Sequence, residues 1–428
     1  MNAKITHHNN DGCVIEIKIP YGKTMLESEE LILKSLNEAG SLATGEALKQ
    51  FDTDGSPIDI AGQKWTTKGK IFKTYETPYG KSRIERHVYQ SSKGGRGHCP
   101  LDKKARIIKT ATPRCAKILS SKYAEFGSRR VETDLKNNHG LSLPIAYIQN
   151  ISDIVGSIAS IKEDYWDYEL PKIDQEISTI TFGLDGTCVL MSGDGYRQAM
   201  VGTIGFYDKE GVRHHTIYTA ASPEYGKKTF LQKLEHEIER VKKEYPTVNY
   251  IGIADGAKDN WSFLEHHTKE HILDFYHASE YVGDAGKIMF KNSYEKQNEW
   301  MQENCHNLKH EEKYAEDLLQ KVRNFEQQQG EELSLDNKDR IQSIITYFTN
   351  NLPRMQYAGY TKNNIPIGSG ITEAACKVIV KQRLGSSGMR WKDKGASVVL
   401  LLRCLSYSSG RWEQFWNKID KFGFSLAS

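Results

Sequence analysis

Three acidic residues stand where packing would not ask for a charge. Asp185 interrupts the apolar stretch TITFGLDG, Asp255 closes YIGIAD, and Glu373 follows Gly368-Ser369-Gly370 at the start of a helical pattern. A charge within or at the end of a central strand is expensive unless it is paired or holds a metal. Three converging carboxylates make a hard oxygen site, the kind that Mg²⁺ or Mn²⁺ prefers. Two such ions about 3.5–4 Å apart can activate a nucleophile and steady the leaving oxygen of a phosphoryl transfer. Taken singly, Asp185-Gly186 and Asp255-Gly256 also read as turns, and Glu373 as an ordinary helix-surface residue. Jointly they ask for a fold that brings them together.

The elements around them supply one. STITFGLDGTCVLM and YRQAMVGTIGFYD read as strands joined by the turn Ser192-Gly193-Asp194-Gly195, and VRHHTIYTAAS as a third. A helix from about Tyr225 to Glu244 follows, with Phe230, Leu234, Ile238 and Val241 on one face. NYIGIADGA is then a buried strand, Trp261 to His267 a short helix, and HILDFYHAS a further strand. Three antiparallel strands followed by strands alternating with helices is the order of a ribonuclease H-like fold, a mixed α/β sheet covered by helices on both faces. The first acid falls on the first strand, the second after the fourth, and the third on a late helix. Residues 290–360 interrupt the plan with helical spacing among dense Glu, Gln and Lys and read as a helical insertion, so the catalytic domain spans 175–289 and 361–428.

Upstream the texture differs. Residues 1–60 hold a helix that Thr24 or Ser28 could cap, with Leu26, Leu31, Leu33 and Leu36 along it and its end expected before Gly40. Residues 61–111 read as a small β-hairpin unit broken at Pro78-Tyr79-Gly80, followed by a basic loop, SSKGGRG. Residues 112–165 predict three helices, the last two joined at His139-Gly140-Leu141-Ser142, with Ser142 as cap and Pro144 in the first turn. Helix, glycine turn, helix is the helix-turn-helix plan, whose second helix enters the major groove; many helical hairpins share the pattern.

Charge favours the DNA reading. The chain of 428 residues has a net charge of only +3, yet residues 61–150 hold 19 Lys and Arg against 6 Asp and Glu. Such a block suits a polyanion, with a solvated basic face as the plainer alternative. Arg129, Arg130 and Lys136 on the first helix of the pair are candidates for phosphates, Tyr147 and Gln149 on the second for base edges. No run approaches the ~20 apolar residues of a membrane span, and the first residues lack the apolar core of a secretion signal. Seven cysteines without a CxxC pair disfavour a disulfide scaffold or zinc ribbon and fit a reducing cytoplasm.

Several motifs then meet a known family. FGLDGT, IADGAKDNW, DFYHASEY and IGSGITEAACKVIVKQRLGSSGMRWKDKGA, followed by a helix and RWEQFW, resemble bacterial insertion-sequence transposases of the DDE superfamily, above all the Kra-four family. The resemblance implies a catalytic, metal-binding triad at Asp185, Asp255 and Glu373, spaced 70 and 118 residues apart, holding two Mg²⁺ or Mn²⁺ ions. Asp274 and His277 match its (C/D)xxH signature and are expected to support the site. It implies cleavage at the terminal inverted repeats of an element, transfer of the 3′-OH ends to target DNA, and a homodimer or larger synaptic complex. A nuclease or junction resolvase without strand transfer, or an idle DNA-binding regulator, are the alternatives. Arg383, Arg390 and Lys392, after Gly385 and Gly388, resemble a basic loop near the third acid, open to phosphate contact or to core-supporting ion pairs. His306 and His310 beside Cys305 have a zinc-compatible spacing without a second ligand pair. Trp300 is open to packing or to stacking on an unpaired base.

Overall fold

A computed structural model describes residues 2–424 except Asn10, Asp164 and Tyr225. The fold is mixed α/β, with three sheets among the described residues. Two compact units divide it: residues 1–169 with Leu401–Ser406 and the chain from Gly410 on, and Leu170–Leu400 with Tyr407–Ser409. Among the described residues no helix is long and apolar enough to cross a membrane.

The first unit opens with a hairpin absent from the sequence reading, β1 (Ala3–His8) against β2 (Cys13–Ile17). The helix that follows is capped by Thr24, whose hydroxyl accepts the Glu27 N–H, but it runs from Met25 to Lys49, past its expected end. Gly40 and Gly45 are points of close approach, not terminators. A Cβ on Gly40 would lie 2.5 Å from the Tyr79 ring, and one on Gly45 2.7 Å from Ser82 Oγ. The β unit is a four-stranded antiparallel sheet of β3 (Ile58–Ile60), β4 (Gln63–Thr77), β5 (Gly80–Ser91) and β6 (Gly94–His98). Part of the expected basic loop is therefore strand, because Gly94 and Gly95 at φ +78° and +94° turn the chain tightly back on β5. Tyr75 and Ile84 bury one side of β4–β5 against Leu48 and Leu101.

Helices Pro113–Glu125, Ser128–His139 and Ile145–Lys162 complete this unit's first half. Gly140 ends the second at φ +64°, as a left-handed cap. Pro144 itself, not Ser142, occupies the cap position of the third. The chain's last helix, Arg411–Phe422, belongs to this unit and not to the catalytic domain assigned to 361–428. The reason is packing: the buried Arg403 guanidinium donates to the Ala124 carbonyl (2.9 Å) and the Glu125 carboxylate (3.0 Å), and Phe415 meets the Trp166 ring edge-on.

The second unit is built on a five-stranded sheet of β7 (Thr179–Met191), β8 (Gly195–Tyr207), β9 (Arg213–Ala221), β10 (Asn249–Ala254) and β11 (Glu270–Leu273), in the order β11-β10-β7-β8-β9. β7, β8 and β9 are antiparallel neighbours; β10 runs parallel to both β7 and β11. Helix Lys228–Glu244 buries Phe230, Leu234, Ile238 and Val241; Tyr225, its expected start, lies outside the described residues. The expected insertion forms helices Tyr294–His310, Tyr314–Gln329 and Leu335–Asn351, whose Leu308, Leu318, Val322, Ile344 and Phe348 join the same core as the sheet.

Candidate active site

Register brings the first two acids together. Gly183 on β7 stands beside Ile253 on the parallel β10, so Asp185 and Asp255, each two residues further on, emerge at neighbouring positions of adjacent strands. Strands are about 4.8 Å apart, so the two residues leave the sheet a single strand spacing from one another, near enough for the Asp255 charge to act on Asp185. Asp185 remains within the β7–β8 ladder, opposite Val201, while Asp255 lies just past the end of β10. Gly256, at φ +101°, turns the chain away there, and a Cβ on it would lie 2.9 Å from the Tyr347 ring. Tyr347 donates its hydroxyl to the Asp255 carbonyl at 3.0 Å.

The third acid arrives over two bare strand positions. A Cβ on Gly183 would run into Thr372 Oγ1, and one on Gly205 would lie 2.8 Å from Ile371 Cδ1. The missing side chains let helix Gly370–Ala375 lie directly on the sheet, where Thr372 and Thr203 exchange a buried hydrogen bond of 2.7 Å. Glu373 is the next residue. The helix continues without a break into a π-helical turn, Cys376–Lys381, of the kind that clusters at functional sites. The Cys376 thiol reaches Asp185 Oδ2 at 3.6 Å.

Asp274 connects these parts. It is the residue after β11 and caps helix Phe275–Met289, so the strand expected to run through HILDFYHAS stops at Leu273. Its backbone N–H donates to the Ala254 carbonyl (2.8 Å), while its fully buried carboxylate accepts the Ser369 N–H (2.8 Å) and the His277 Nδ1–H (2.6 Å). One residue thus ties the strand of Asp255 to the segment that leads into Glu373. His277, in the helix's first turn, is half-buried and lies close enough to feel Asp255.

The charges are unevenly met. Burial pushes the Asp185 carboxyl above its ordinary value, with the Asp255 charge adding to the shift. Among the described residues neither of these two makes an ion pair. Asp255 is held by neutral donors, the Ala257 N–H at 3.1 Å and Asn260 Nδ2 at 3.2 Å. Burial raises Glu373 as well, followed by the nearby Asp274. His277 is lifted to about 9, chiefly by its hydrogen bond to Asp274, and is an imidazolium at neutral pH. Burial opposes ionisation of Asp274, yet the bonds from His277 and Ser369 prevail and hold its carboxyl low.

One carboxylate–imidazole group has ligand atoms all within 4.8 Å: Asp274, His277 and Glu373. It differs from the triad, and its chemistry as a metal site is poor. Asp274 already accepts from the Ser369 N–H, the Tyr276 N–H and His277, which leaves its carboxylate little capacity for a cation. At the strand ends Asp185 and Asp255 are neighbours in register and neither makes an ion pair among the described residues, while Glu373 lies on the helix packed over Gly183 and Gly205, a hard oxygen donor set of the kind a divalent cation takes.

The DNA-binding candidates divide. Arg129 and Lys136 are exposed; Arg130 is exposed with its guanidinium 4.5 Å over the Phe126 ring. Gln149 is exposed and donates to Ser128 Oγ. Tyr147 is turned the other way, its half-buried hydroxyl bonded to Thr110 at 3.0 Å, a position that withholds it from a base edge. Arg383 is buried and stacked 5.0 Å from the Trp391 ring, so it supports the core and does not reach for phosphate. Trp391 adds an edge contact to β7, its N–H donating to Leu190 and its carbonyl accepting from Ser192, and it leaves Arg390 and Lys392 exposed on either side.

Trp300 packs on Gly286 and donates its indole N–H to the Val282 carbonyl, which favours packing over base stacking. The rings of His306 and His310 meet at 4.5 Å, but they belong to no metal-ligating group among the described residues. Sequence reasoning missed Asn260, Ser369, Cys376 and Tyr347. Asn260 alone carried a local signal: it follows Asp255 by five residues and so lies in the first turns of the next helix. Compared with known proteins, the chain matches no protein-family model and no curated protein.

Proposed function

We propose that the chain is a metal-dependent DNA transposase of the DDE type, with Asp185, Asp255 and Glu373 as its catalytic acids. The observation that carries the reading is the placement of the acids on one sheet: Asp185 and Asp255 two residues beyond a matched register pair, and Glu373 on a helix seated over Gly183 and Gly205. The strand order β9-β8-β7-β10-β11, antiparallel for three and parallel for two, supports a ribonuclease H-like core. The three carboxylates would hold Mg²⁺ or Mn²⁺, which supplies charge neutralisation and an activated oxygen nucleophile when bound. The chain's own contribution is placement. Asn260 and the Ala257 N–H fix one oxygen of Asp255, Cys376 and the Gly186 N–H orient Asp185, and Asp274 sets Glu373 through Ser369. The His277 imidazolium adds a positive charge at the rim that suits a phosphate of the scissile strand.

The deciding test incubates the protein with duplex DNA bearing the ends of its own element, with Mg²⁺, and resolves the products on a sequencing gel. End-specific nicks and strand-joined products are expected. Nicks without joining favour a nuclease or resolvase, and binding without either favours a regulator.

A further inference from the structure

The basic block divides into two structures of different character, a sheet and a group of helices. Helix Ile145–Lys162, the expected groove reader, carries just Asp153 and Lys162 as charged residues and buries Ile148, Ile151, Val155 and Ile158. It is a core helix. On helix Ser128–His139, Glu132 and Asp134 offset the cations, and Asp134 is paired with Lys122. Residues 58–98 hold nine Lys and Arg against three Asp and Glu. Among the described residues Lys64, Lys68, Lys70, Lys73, Lys93 and Arg96 form no ion pair.

The middle of β4 is the unusual part. In a strand packed on one side, exposure alternates; here Lys68, Gly69, Lys70, Ile71 and Phe72 are all exposed, so neither face is covered. The register against β5 shifts between Thr67 and Lys70, a bulge made possible by Gly69 at φ +94°. Ile71 and Phe72 are each about half exposed (51% and 55%), and Arg83 from β5 lies 4.5 Å over the Phe72 ring. Two large apolar side chains thus stand in water between lysines on a two-stranded ribbon.

We propose that this bulged midsection, Lys68 to Lys73 with Arg83, is the element by which the first unit grips duplex DNA. The lysines contact phosphates, and Phe72, on the face it shares with Lys70 and Arg83, meets apolar base edges in a groove wide enough for a two-stranded ribbon. The inference rests on the DNA-substrate reading above and assigns its contact surface to the sheet in place of the helix pair. A second copy of the chain is a poorer occupant, because a two-fold contact would set the lysines of one patch against those of the other.

The test measures binding of the full chain to labelled duplexes, one with the element end and one of random sequence, by fluorescence anisotropy across a salt series. Lys68→Glu with Lys70→Glu should weaken both duplexes at least about tenfold near 0.15 M salt and flatten the log K against log salt slope by about 2. Phe72→Ala should reduce binding of the element end more than of random DNA. Arg129→Glu with Lys136→Glu should change affinity less than the sheet variant does. Unchanged melting curves exclude misfolding as the cause. Wild-type affinity and slope in the Lys68/Lys70 variant overturn the proposal alone. Loss of self-association with DNA binding intact overturns it in favour of a contact between copies. A wild-type chain that binds neither duplex overturns the DNA-substrate reading, and this proposal with it.

Discussion

Asp274, just past β11, and Asp185, on β7, belong to one sheet and sit in opposite circumstances. Asp274 is fully buried and fully met: two backbone N–H groups of its own helix, the Ser369 N–H and the His277 imidazolium all donate to it. Asp185 is half-buried and met by one N–H and a thiol, with a like charge on the next strand. One carboxyl is held low and the other pushed up. A saturated carboxylate holds structure together, whereas one short of positive charge is poised to bind a cation. Burial alone does not tell the two apart.

The comparison breaks most sharply in activity. Asp185→Asn, Asp255→Asn and Glu373→Gln should each lower end cleavage by at least about 10³-fold, the scale of a lost electrostatic contact at a reacting centre, while DNA affinity stays near wild type. Cleavage at the wild-type rate in any of the three would remove that residue from the site.

Stability should respond in the opposite sense at the two ends. Asp274→Ala leaves the His277 imidazolium and the Ser369 N–H without their acceptor, and breaking such a buried pair costs about 3–5 kcal/mol. Asp185→Asn in chelator should melt no lower than wild type. The sign follows from linkage: a carboxyl raised in the native state lowers stability as pH rises past its ordinary value, and the amide removes that loss. Denaturant titrations of both variants check this, and a large loss in Asp185→Asn would make the two ends alike.

Gly183→Ala tests the floor between them. Its Cβ would strike Thr372 Oγ1, which is buried and bonded to Thr203, so helix Gly370–Ala375 has to move. Overpacking of this kind costs about 1–3 kcal/mol, and cleavage should fall although all three acids remain. Wild-type cleavage in this variant would show that Glu373 does not depend on that seat.

The smallest effect concerns pH. His277, raised to about 9 from 6.5, contributes stability that is complete below about pH 6.5 and lost as pH rises through 9. The low Asp274 carboxyl contributes above its ordinary value near 3.8 and loses that as pH falls. The melting difference between wild type and His277→Gln should therefore be greatest near pH 6 and vanish above about pH 10. A pH-independent difference would mean that the histidine acts by packing alone.

Much of the second unit was legible because its signals are local. Alternation and turn glycines marked β7 and β8, helical spacing marked Lys228–Glu244, and a charge in an apolar strand marked Asp185. The glycines of the first helix misled. Gly40 looked like a stop, yet Tyr79, far along the chain, makes it a contact point. The helix pair was legible in its spacing, but the contact of Tyr147 on its second helix with Thr110 was not. The strand expected to carry His277 ended early because Asp274 capped a helix, a competition that an Asp side chain wins by accepting two N–H groups.

The sequence by itself determined the order of the second unit's sheet elements and marked three acids as out of place, since periodicity, turn residues and a misplaced charge are properties of neighbours in the chain. Tertiary structure alone decided which carboxylates are satisfied, which glycines are seats for side chains, and which lysines face water. Each of these depends on what a distant segment brings within hydrogen-bond or van der Waals reach: Thr372 over Gly183, Ser369 on Asp274, Thr110 on Tyr147. Those contacts have no imprint in the spacing of residues along the chain.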